Sequence, residues 1–348
     1  MALTGRIRVW PKAVAANFAR MRRQGGNAAA VVKADAYGLG LGGVVPALLA
    51  EGCTQFFVAR LEEGMALRAL APQARIFVLD GVPEGTGPAL ASHRLIPVLG
   101  SLDEISRWQG EAALHVDTGM NRLGLPPEGV AEAARRLKDR APVLVMSHLA
   151  CGDDPNSPMN AEQLSRFREA LATLPTAPAS LAASGGVFLG KDYHFDLVRP
   201  GIGLYGGHPQ PGHGPNPVQC VVRLTGTILQ LRRIGAGESV GYGGTFHAAR
   251  PSIIATLALG YADGVLRSAG NRACAVIRGR RAPFVGRVSM DLIGLDVTDV
   301  EGVAAGDEAE LFGPALPLDE AAAAWGTISY ELLTGLSRRL PRVYEGTQ

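Results

Sequence analysis

Several polar side chains that could do acid–base or carbonyl chemistry directly follow short apolar runs in the first two hundred residues. The first is Lys33, which ends the apolar run in "AVVKADAYGLG" (residues 30–40), with Tyr37 four positions later. The others, in chain order, are Asp117, Arg122, His148, Ser184 and Arg199. A lysine amine can form a Schiff base with a carbonyl group, an arginine can bind an anion, and a histidine can transfer a proton.

This combination suits a Schiff-base site for an anionic cofactor such as pyridoxal 5'-phosphate (PLP). Lys33 would supply the imine nitrogen. Phosphate oxygens can be bound by Ser184 and by the backbone N–H groups of Gly201 and Ile202. These residues lie in glycine-containing segments.

Each of these side chains also has an ordinary structural interpretation. Lys33 could be a solvated surface amine, His148 a core histidine, and Arg199 the ion-pair partner of Asp196. All of these side chains stand at the ends of apolar runs, and this shared position favours a functional site over separate structural roles. The residues alone still leave two possibilities open, a PLP enzyme and a metal-free aldolase that uses a barrel lysine.

Eight short apolar runs alternate with helix-length stretches between residue 28 and about residue 200. They are "AAAVVK", "QFFVAR", "RIFVLD", "RLIPVLG", "ALHVDTG", "VLVMSHLA", "ASLAAS" and "FDLVRPG". This alternation predicts a parallel sheet buried on both faces, closed into a (β/α)8 barrel similar to a TIM barrel. The active site of such a barrel lies at the C-terminal ends of its strands, where the polar residues occur. The alternative, a doubly wound open sheet, is disfavoured because "KADAYGLG" lacks the GxGxxG fingerprint.

The character of the chain changes near residue 208 at "HPQPGHGPNPVQ", because prolines and glycines at this density do not sustain a helix or a strand. Beyond it, β-rich runs such as "VVRLTGTILQLRR" are separated by glycine-containing turns, and "ISYELLTGLSRRL" is the one clear helix. We therefore predict a barrel domain at residues 1–215 and a mostly β domain at residues 216–348.

The composition limits the range of partners. The 348 residues include 34 Lys and Arg against 32 Asp and Glu, so no basic surface for nucleic acid or an acidic membrane is indicated. No apolar signal segment or window of about 18 apolar residues occurs. The four cysteines lack CxxC spacing, which disfavours a disulfide framework or a metal site. We expect a cytoplasmic protein that binds no metal and acts on a small molecule.

Eight motifs occur in an order that resembles the PLP-dependent alanine racemase family. They are "AVVKADAYGLG", "HVDTGMNRLG", "SHLA", "RPGIGLYG", "SVGYGG", "GYADG", "GRVSMD" and "TISYE", and the match runs from about residue 28 to residue 342. The resemblance implies a PLP-binding barrel, a β-rich second domain and a homodimer with shared active sites. It also implies interconversion of L-alanine and D-alanine through a PLP external aldimine, by two bases. D-alanine biosynthesis is the usual role of the family, and a catabolic role is equally compatible with the sequence.

The resemblance implies a role for each matching residue. Lys33 would carry the cofactor and act as one base, and Tyr242 of the partner subunit would act as the other. The cofactor would also be bound by Tyr37, Arg122, His148, Ser184, Arg199, Gly201, Ile202 and Tyr330. The substrate would be contacted by Arg122 and, from the partner subunit, by the backbone N–H of Met290 and by Tyr261 at the entrance. Arg199 would face the pyridine nitrogen, with His148 hydrogen-bonded behind it.

Two positions depart from the family pattern. His115 stands where many members carry a lysine, often carbamylated, that orients the arginine. In this chain, either a bound anion such as chloride or a nearby side chain could orient Arg122 instead. Gly241 precedes the tyrosine of "SVGYGG", where the family usually has "VSYG", which loosens the backbone but keeps the hydroxyl.

Three other functions are considered as alternatives to alanine racemisation. A racemase of another small amino acid, such as serine, is compatible because a sequence does not report pocket volume. A decarboxylase of the related barrel family typically pairs the pyridine nitrogen with a carboxylate, whereas Arg199 ends the eighth run here. A non-catalytic PLP carrier resembles the barrel alone, and the second domain disfavours it.

Overall fold

The computed structural model describes residues 5–346, which divide into two compact units. The barrel unit comprises Val14–Gln219, and the second unit joins the N-terminal residues up to Ala13 to the chain from Cys220 onward. Strand β1 (Gly5–Val9) pairs with residues 222–226 of the second unit. These N-terminal residues therefore lie outside the barrel unit, which differs from the boundary that the sequence pattern suggested.

The barrel unit contains seven parallel strands that pair in chain order. They are β2 (Ala30–Val31), β3 (Gln55–Val58), β4 (Arg75–Val78), β5 (Ile96–Leu99), β6 (Ala113–His115), β7 (Leu144–Met146) and β8 (Ala179–Ser180). The segment 196–200 completes the ring, because the Arg199 N–H donates to the Ala182 carbonyl and the Ala29 N–H donates to the Val198 carbonyl. All eight predicted runs thus contribute to one closed ring, and the predicted barrel is confirmed.

Helices alternate with the barrel strands. They are α1 (Pro11–Gly25), α2 (Lys33–Tyr37), α3 (Leu41–Ala50), α4 (Leu61–Leu70), α5 (Gly87–Ser92), α6 (Leu102–Arg107), α7 (Val130–Arg136) and α8 (Met159–Thr173). In α8 the buried residues recur every three or four positions, at Asn160, Gln163, Leu164 and Phe167, which gives the helix one face to pack. Two of these buried residues are polar and need hydrogen-bond partners.

The short helix α2 is left-handed. Residues 34–37 all have φ values of 54–55°, although none is a glycine. This conformation costs roughly 1–2 kcal/mol per residue for L-amino acids. Gly38, with φ 81°, ends the turn, and its N–H donates to the Ala34 carbonyl at 2.7 Å. The turn therefore fixes the positions of Lys33 and Tyr37, which stand at its two ends.

The second unit is mostly β. After β1, its strands are β9 (Val222–Ile234), β10 (Ser239–Val240), β11 (Phe246–His247), β12 (Ser252–Leu257), β13 (Cys274–Ile277), β14 (Arg280–Val285), β15 (Ile293–Asp296), β16 (Glu308–Phe312) and β17 (Arg342–Tyr344). The 13-residue strand β9 pairs with both β12 and β16, so the order β12-β15-β14-β13-β16-β9 closes on itself. The predicted β-rich domain is confirmed.

The helices of the second unit differ from the sequence prediction. Two are present, α9 (Leu318–Trp325) and α10 (Ser329–Thr334), whereas the sequence indicated one. The alanine-rich run of α9 buries Leu318 and Trp325 on one side, a pattern too short to stand out in a β-rich stretch. No helix within residues 5–346 is long and apolar enough to cross a membrane.

Candidate active site

The predicted barrel residues lie at the C-terminal ends of the strands. Lys33, Arg122, His148 and Ser184 follow β2, β6, β7 and β8, and Arg199 lies in the closing segment. Their charges act on one another: burial and then the Arg122 guanidinium lower the pKa of Lys33. Burial and then Arg199 lower the pKa of His148, with smaller effects from Lys33 and Arg122. The barrel thus brings these residues together at its mouth.

The carboxylate of Glu63, on α4, fixes the backbone next to Lys33. Its Oε1 accepts a hydrogen bond from the Ala34 N–H at 2.7 Å, and its Oε2 accepts from Ala59 and Arg60 at 2.8 and 3.1 Å. Ala34 begins the left-handed turn, so this charge-assisted bond stabilises strained backbone where Lys33 leaves its strand. Sequence reasoning missed Glu63, because backbone N–H partners leave no motif.

The amine of Lys33 is prepared for nucleophilic chemistry by its surroundings. Burial is the largest cause of its lowered pKa, and Arg122 adds to it, while Glu63 and Asp80 act in the opposite direction. A lower pKa raises the share of neutral amine at neutral pH, and the neutral amine is the form that attacks a carbonyl group.

Arg199 is a buried cation held by neutral groups. It is 3% exposed, and burial lowers its pKa to about 9, so it stays charged at neutral pH. Its Nη2 donates to the Ser147 carbonyl at 2.6 Å, and its Nη1 donates to the Ser180 hydroxyl. The alternative ion pair with Asp196 is wrong, because Asp196 accepts from the Ala179 N–H instead. Among residues 5–346 no carboxylate pairs with Arg199 and its Nε has no acceptor, which suits a ligand acceptor atom.

The two histidines near the mouth are neutral at physiological pH. Burial and then Arg199 lower the pKa of His148 to about 3 and that of His115 to about 4. His115 therefore supplies no negative charge that could orient Arg122. The Arg122 side chain is exposed and forms no ion pair with any residue that the structure describes.

Asp117 shapes the loop that carries Arg122. Its Oδ1 accepts from the N–H groups of Gly119 and Met120 at 2.9 Å, and its Oδ2 accepts from Asn121 at the same distance. With its oxygens engaged by the loop backbone, Asp117 has a structural role.

Ser184 organises a small group of backbone donors. Its hydroxyl oxygen accepts from the N–H groups of Gly201 at 2.9 Å and Gly203 at 3.1 Å. The N–H of Ile202, between them, has no acceptor within the described part of the chain. Of the two amides predicted to bind phosphate, the Gly201 amide is thus engaged by Ser184, and the Ile202 amide is available.

The Tyr37 hydroxyl lies against the same backbone. A Cβ atom at Gly201 would overlap the Tyr37 hydroxyl oxygen and lie 3.1 Å from its Cζ. The Tyr37 ring stacks on Tyr205 at a centroid distance of 4.5 Å, and the Tyr205 hydroxyl donates to the Val31 carbonyl at 2.9 Å. Any side chain larger than hydrogen at position 201 would therefore clash with Tyr37. The structure brings Tyr37, Gly201 and Ser184 together as predicted.

Three further predicted residues are exposed in the second unit. Tyr242, Tyr261 and Met290 are 72%, 44% and 54% exposed. The Tyr261 N–H donates to the Ser289 carbonyl, and the Ala262 N–H donates to the Met290 carbonyl, both at 3.0 Å. The Tyr261 turn and the Met290 loop are therefore adjacent.

The Tyr242 turn depends on the glycine that departs from the family pattern. Gly241 has φ 75° and ψ −173°, a conformation that is open to glycine and rare for other residues. The Arg287 guanidinium lies over Gly243, which places this turn beside the "GRVSMD" segment. Tyr330 lies on α10 of the same unit and is 44% exposed; its contact with a phosphate stays a prediction.

Arg339 joins the Tyr261 turn to the Met290 loop. Its Nε and Nη2 donate to the two oxygens of Asp263 at 2.6 and 2.9 Å, and Nη2 also donates to Asp291 at 2.8 Å. Asp263 is 4% exposed. No sequence pattern predicted this bidentate bridge, because its members come from three separate segments.

Comparison with protein families accounts for nearly the whole chain. One family model, "Alanine racemase, N-terminal domain", matches residues 9–209, and a second, "Alanine racemase, C-terminal domain", matches residues 221–344. The chain belongs to the alanine racemase family. The alanine racemase of Rhodospirillum rubrum is 51% identical over 354 residues, covering 97% of this chain and 94% of that protein.

Solved alanine racemase structures have the same fold. The Bartonella henselae enzyme, "with covalently bound pyridoxal phosphate", matches with a TM-score of 0.94 and 39% identity over 99% of this chain and 100% of that one. The biosynthetic alanine racemase of Pseudomonas aeruginosa matches with a TM-score of 0.94 and 37% identity, over the same shares. The family resemblance and the fold class read from the motifs are confirmed.

Proposed function

We propose that this protein is an alanine racemase, an isomerase that interconverts L-alanine and D-alanine with PLP as its cofactor. The proposal depends on the set of side chains at the barrel mouth, in a chain that belongs to this family. There the Lys33 amine has a lowered pKa, and the buried Arg199 has no carboxylate partner among the described residues. The names of the relatives and the PLP in the B. henselae structure support this assignment.

The donors at the barrel mouth fit PLP. The Lys33 amine suits its aldehyde, the hydroxyls of Tyr37 and Ser184 and the Ile202 N–H suit its phosphate, and Arg199 suits its ring nitrogen. When bound, PLP supplies an electron-withdrawing group that stabilises negative charge at the substrate α-carbon. Because Arg199 keeps its proton at neutral pH, it donates a hydrogen bond to the ring nitrogen and does not protonate it. This limits the electron withdrawal to what racemisation needs and disfavours transamination.

Racemisation requires that the α-proton leave one face of the substrate and return on the other. Lys33 moves the proton on one face, and Tyr242 of the partner subunit moves it on the opposite face. Arg122, which has no ion pair within the described residues, binds the substrate carboxylate together with the N–H of Met290 of the partner subunit.

The second base requires a homodimer with shared active sites. Tyr242, Tyr261 and Met290 are exposed on the second unit, and the Tyr261 turn is hydrogen-bonded to the Met290 loop. Exposed aromatic and apolar side chains are typical of surfaces that another chain covers. In this arrangement each barrel receives Tyr242 from a second copy, and Tyr261 of the partner subunit lies at the entrance.

We place the enzyme in the cytoplasm, where it would supply D-alanine for biosynthesis. Four free cysteines, at positions 53, 151, 220 and 274, support a reducing compartment. The near balance of 34 basic and 32 acidic residues supports a small-molecule substrate with no nucleic-acid partner.

The proposed function is tested by incubating the purified protein and PLP with each L-amino acid and separating the enantiomers. We expect D-alanine to form fastest, with serine slower. Borohydride should fix the cofactor to Lys33, and the Lys33→Ala variant should be colourless and lose at least about 1,000-fold in activity, because the cofactor linkage and one base are both removed. Wild-type protein without alanine racemisation, or Lys33→Ala with unchanged cofactor absorbance, would refute the proposed function.

A further inference from the structure

A buried glutamine outside the motifs connects two loops of the barrel mouth. Gln163 lies on α8 and is 0% exposed. Its Oε1 accepts from the Ala150 N–H at 2.8 Å, and its Nε2 donates to the His148 carbonyl at 3.0 Å and to the Thr118 hydroxyl at 3.1 Å. One side chain thus holds the loop after β6 and the loop after β7, and both of its N–H bonds are used.

From these partners the network reaches Arg199 by two routes. The hydroxyls of Thr118 and Ser147, each 1% exposed, are 2.8 Å apart, and the Ser147 carbonyl accepts from Arg199 Nη2 at 2.6 Å. The same Nη2 lies 3.4 Å from Nδ1 of His148, whose carbonyl Gln163 holds. Two residues of the loop after β7, Ser147 and His148, contact this guanidinium nitrogen. Gln163 holds Ser147 through Thr118 and holds His148 directly.

We propose that Gln163 is a positioning residue that sets the direction in which Arg199 presents its free donor to the cofactor ring nitrogen. This role rests on the proposed function, because the ring nitrogen belongs to PLP. No carboxylate within residues 5–346 pairs with Arg199, so neutral acceptors alone fix the plane of the guanidinium. A glutamine can hold those acceptors in place without adding a charge that would neutralise the arginine.

The test compares two substitutions on the same helix. Gln163→Met keeps the side-chain length and removes all three hydrogen bonds. The control Asn160→Leu, one turn earlier on α8, removes a buried amide that donates to the Asp154 carbonyl at 2.9 Å and has no bond to the Arg199 network. In the holoenzyme, Gln163→Met should lower kcat for alanine about 10- to 100-fold with KM changed less than about threefold, and Asn160→Leu should change both less than about threefold.

A second readout does not depend on turnover. The absorption spectrum of the resting holoenzyme, recorded against pH, reports the surroundings of the cofactor ring. Gln163→Met should alter this pH dependence, and Asn160→Leu should leave it unchanged even if both variants lose thermal stability. Wild-type protein that binds PLP without racemising alanine would refute the proposed function, and the spectra would still decide the role of Gln163.

Two further variants test the same role of Gln163. If Gln163→Met does not fold, Thr118→Val tests the route through Ser147, because it removes only the hydroxyl between Gln163 and Ser147. An altered spectrum supports the role of Gln163, and an unaltered one overturns the part of it that runs through Thr118 and Ser147. In an Arg199→Lys background, adding Gln163→Met should lower kcat by less than about a further twofold, because the group it positions is gone. Full additivity, or a wild-type spectrum in Gln163→Met, would overturn the inference.

Discussion

The two sets of site residues differ in how the protein holds them. In the barrel unit, Ser184 and Arg199 are 2% and 3% exposed, and their hydrogen bonds run to fixed backbone and hydroxyl groups. In the second unit, Tyr242 and Met290 are 72% and 54% exposed. Buried polar groups are costly unless their partners are in place, so the barrel mouth is a finished binding site. The second set is an open surface, and under the proposed function it acts when a second copy of the chain covers it.

Both regions nevertheless use a charged side chain to hold the backbone near the chemistry. Glu63 accepts from three backbone N–H groups beside Lys33, and Arg339 bridges Asp263 and Asp291. The barrel residues are surrounded by further contacts, whereas Arg339 is half exposed. Among residues that only support the chemistry, substitutions in the finished site should therefore cost more than substitutions in the open surface.

The largest difference is expected from Gly201→Ala in the barrel. The new Cβ would overlap the hydroxyl oxygen of Tyr37, so the Tyr37 ring, which stacks on Tyr205, would have to shift. If Tyr37 binds the phosphate as proposed, displacing its hydroxyl should weaken PLP binding about 10- to 100-fold, as expected for a hydrogen bond to a charged group. Fluorescence titration of the apoenzyme with PLP measures the effect.

Gly42→Ala is the matched control, because a Cβ there meets nothing within 4 Å on α3. It should leave PLP affinity unchanged. In a Tyr37→Phe background, Gly201→Ala should add little, since the overlapping oxygen is absent. Equal affinities for the Gly201 and Gly42 variants would show that the barrel mouth is less constrained than its packing indicates.

A smaller effect is expected from Arg339→Gln in the second unit. The substitution removes the bridge between the Tyr261 turn and the Met290 loop while Asp263 keeps its bond from the Gly260 N–H. We expect KM for alanine to rise about 3- to 10-fold, which corresponds to about 1 kcal/mol, with a smaller change in kcat. Steady-state kinetics of the Arg339→Gln variant and the wild type at the same enzyme concentration provides the measurement.

The neighbouring Arg338→Gln serves as its control, because Arg338 is exposed and forms no bond within the described residues. Its kinetics should match those of the wild type. If the Arg339 variant also matches, the bridge is dispensable and the surface is held by other contacts.

Sequence patterns predicted the parts of this molecule that are encoded locally. The eight apolar runs predicted the barrel, and the polar residues after them predicted which side chains meet at its mouth, because parallel strands share one C-terminal end. The left-handed turn at residues 34–37 was not predictable, since "ADAY" contains no glycine to indicate positive φ. Only the surrounding bonds, including that from Ala34 to Glu63, make this conformation stable.

The residues that sequence reasoning missed act through the backbone. Glu63 and Gln163 bind N–H and carbonyl groups of distant loops, and Arg339 bridges segments that are far apart in the chain. Backbone groups are the same at every position, so such contacts carry no residue-type signal. The strand β1 escaped prediction for a related reason: its partner residues, 222–226, follow more than two hundred residues later.

In the proposed enzyme, one active site combines the barrel of one subunit with the second unit of another. Lys33→Ala and Tyr242→Ala, each carrying a different tag, should be nearly inactive as homodimers. In the doubly tagged hybrid purified after co-expression, one site carries both lesions and the other is intact, so about half of wild-type racemisation per dimer should return if the sites are independent. A site formed within one chain would leave one lesion in every site. Hybrid activity no greater than that of the separate variants, or no doubly tagged dimer at all, would contradict the shared active site.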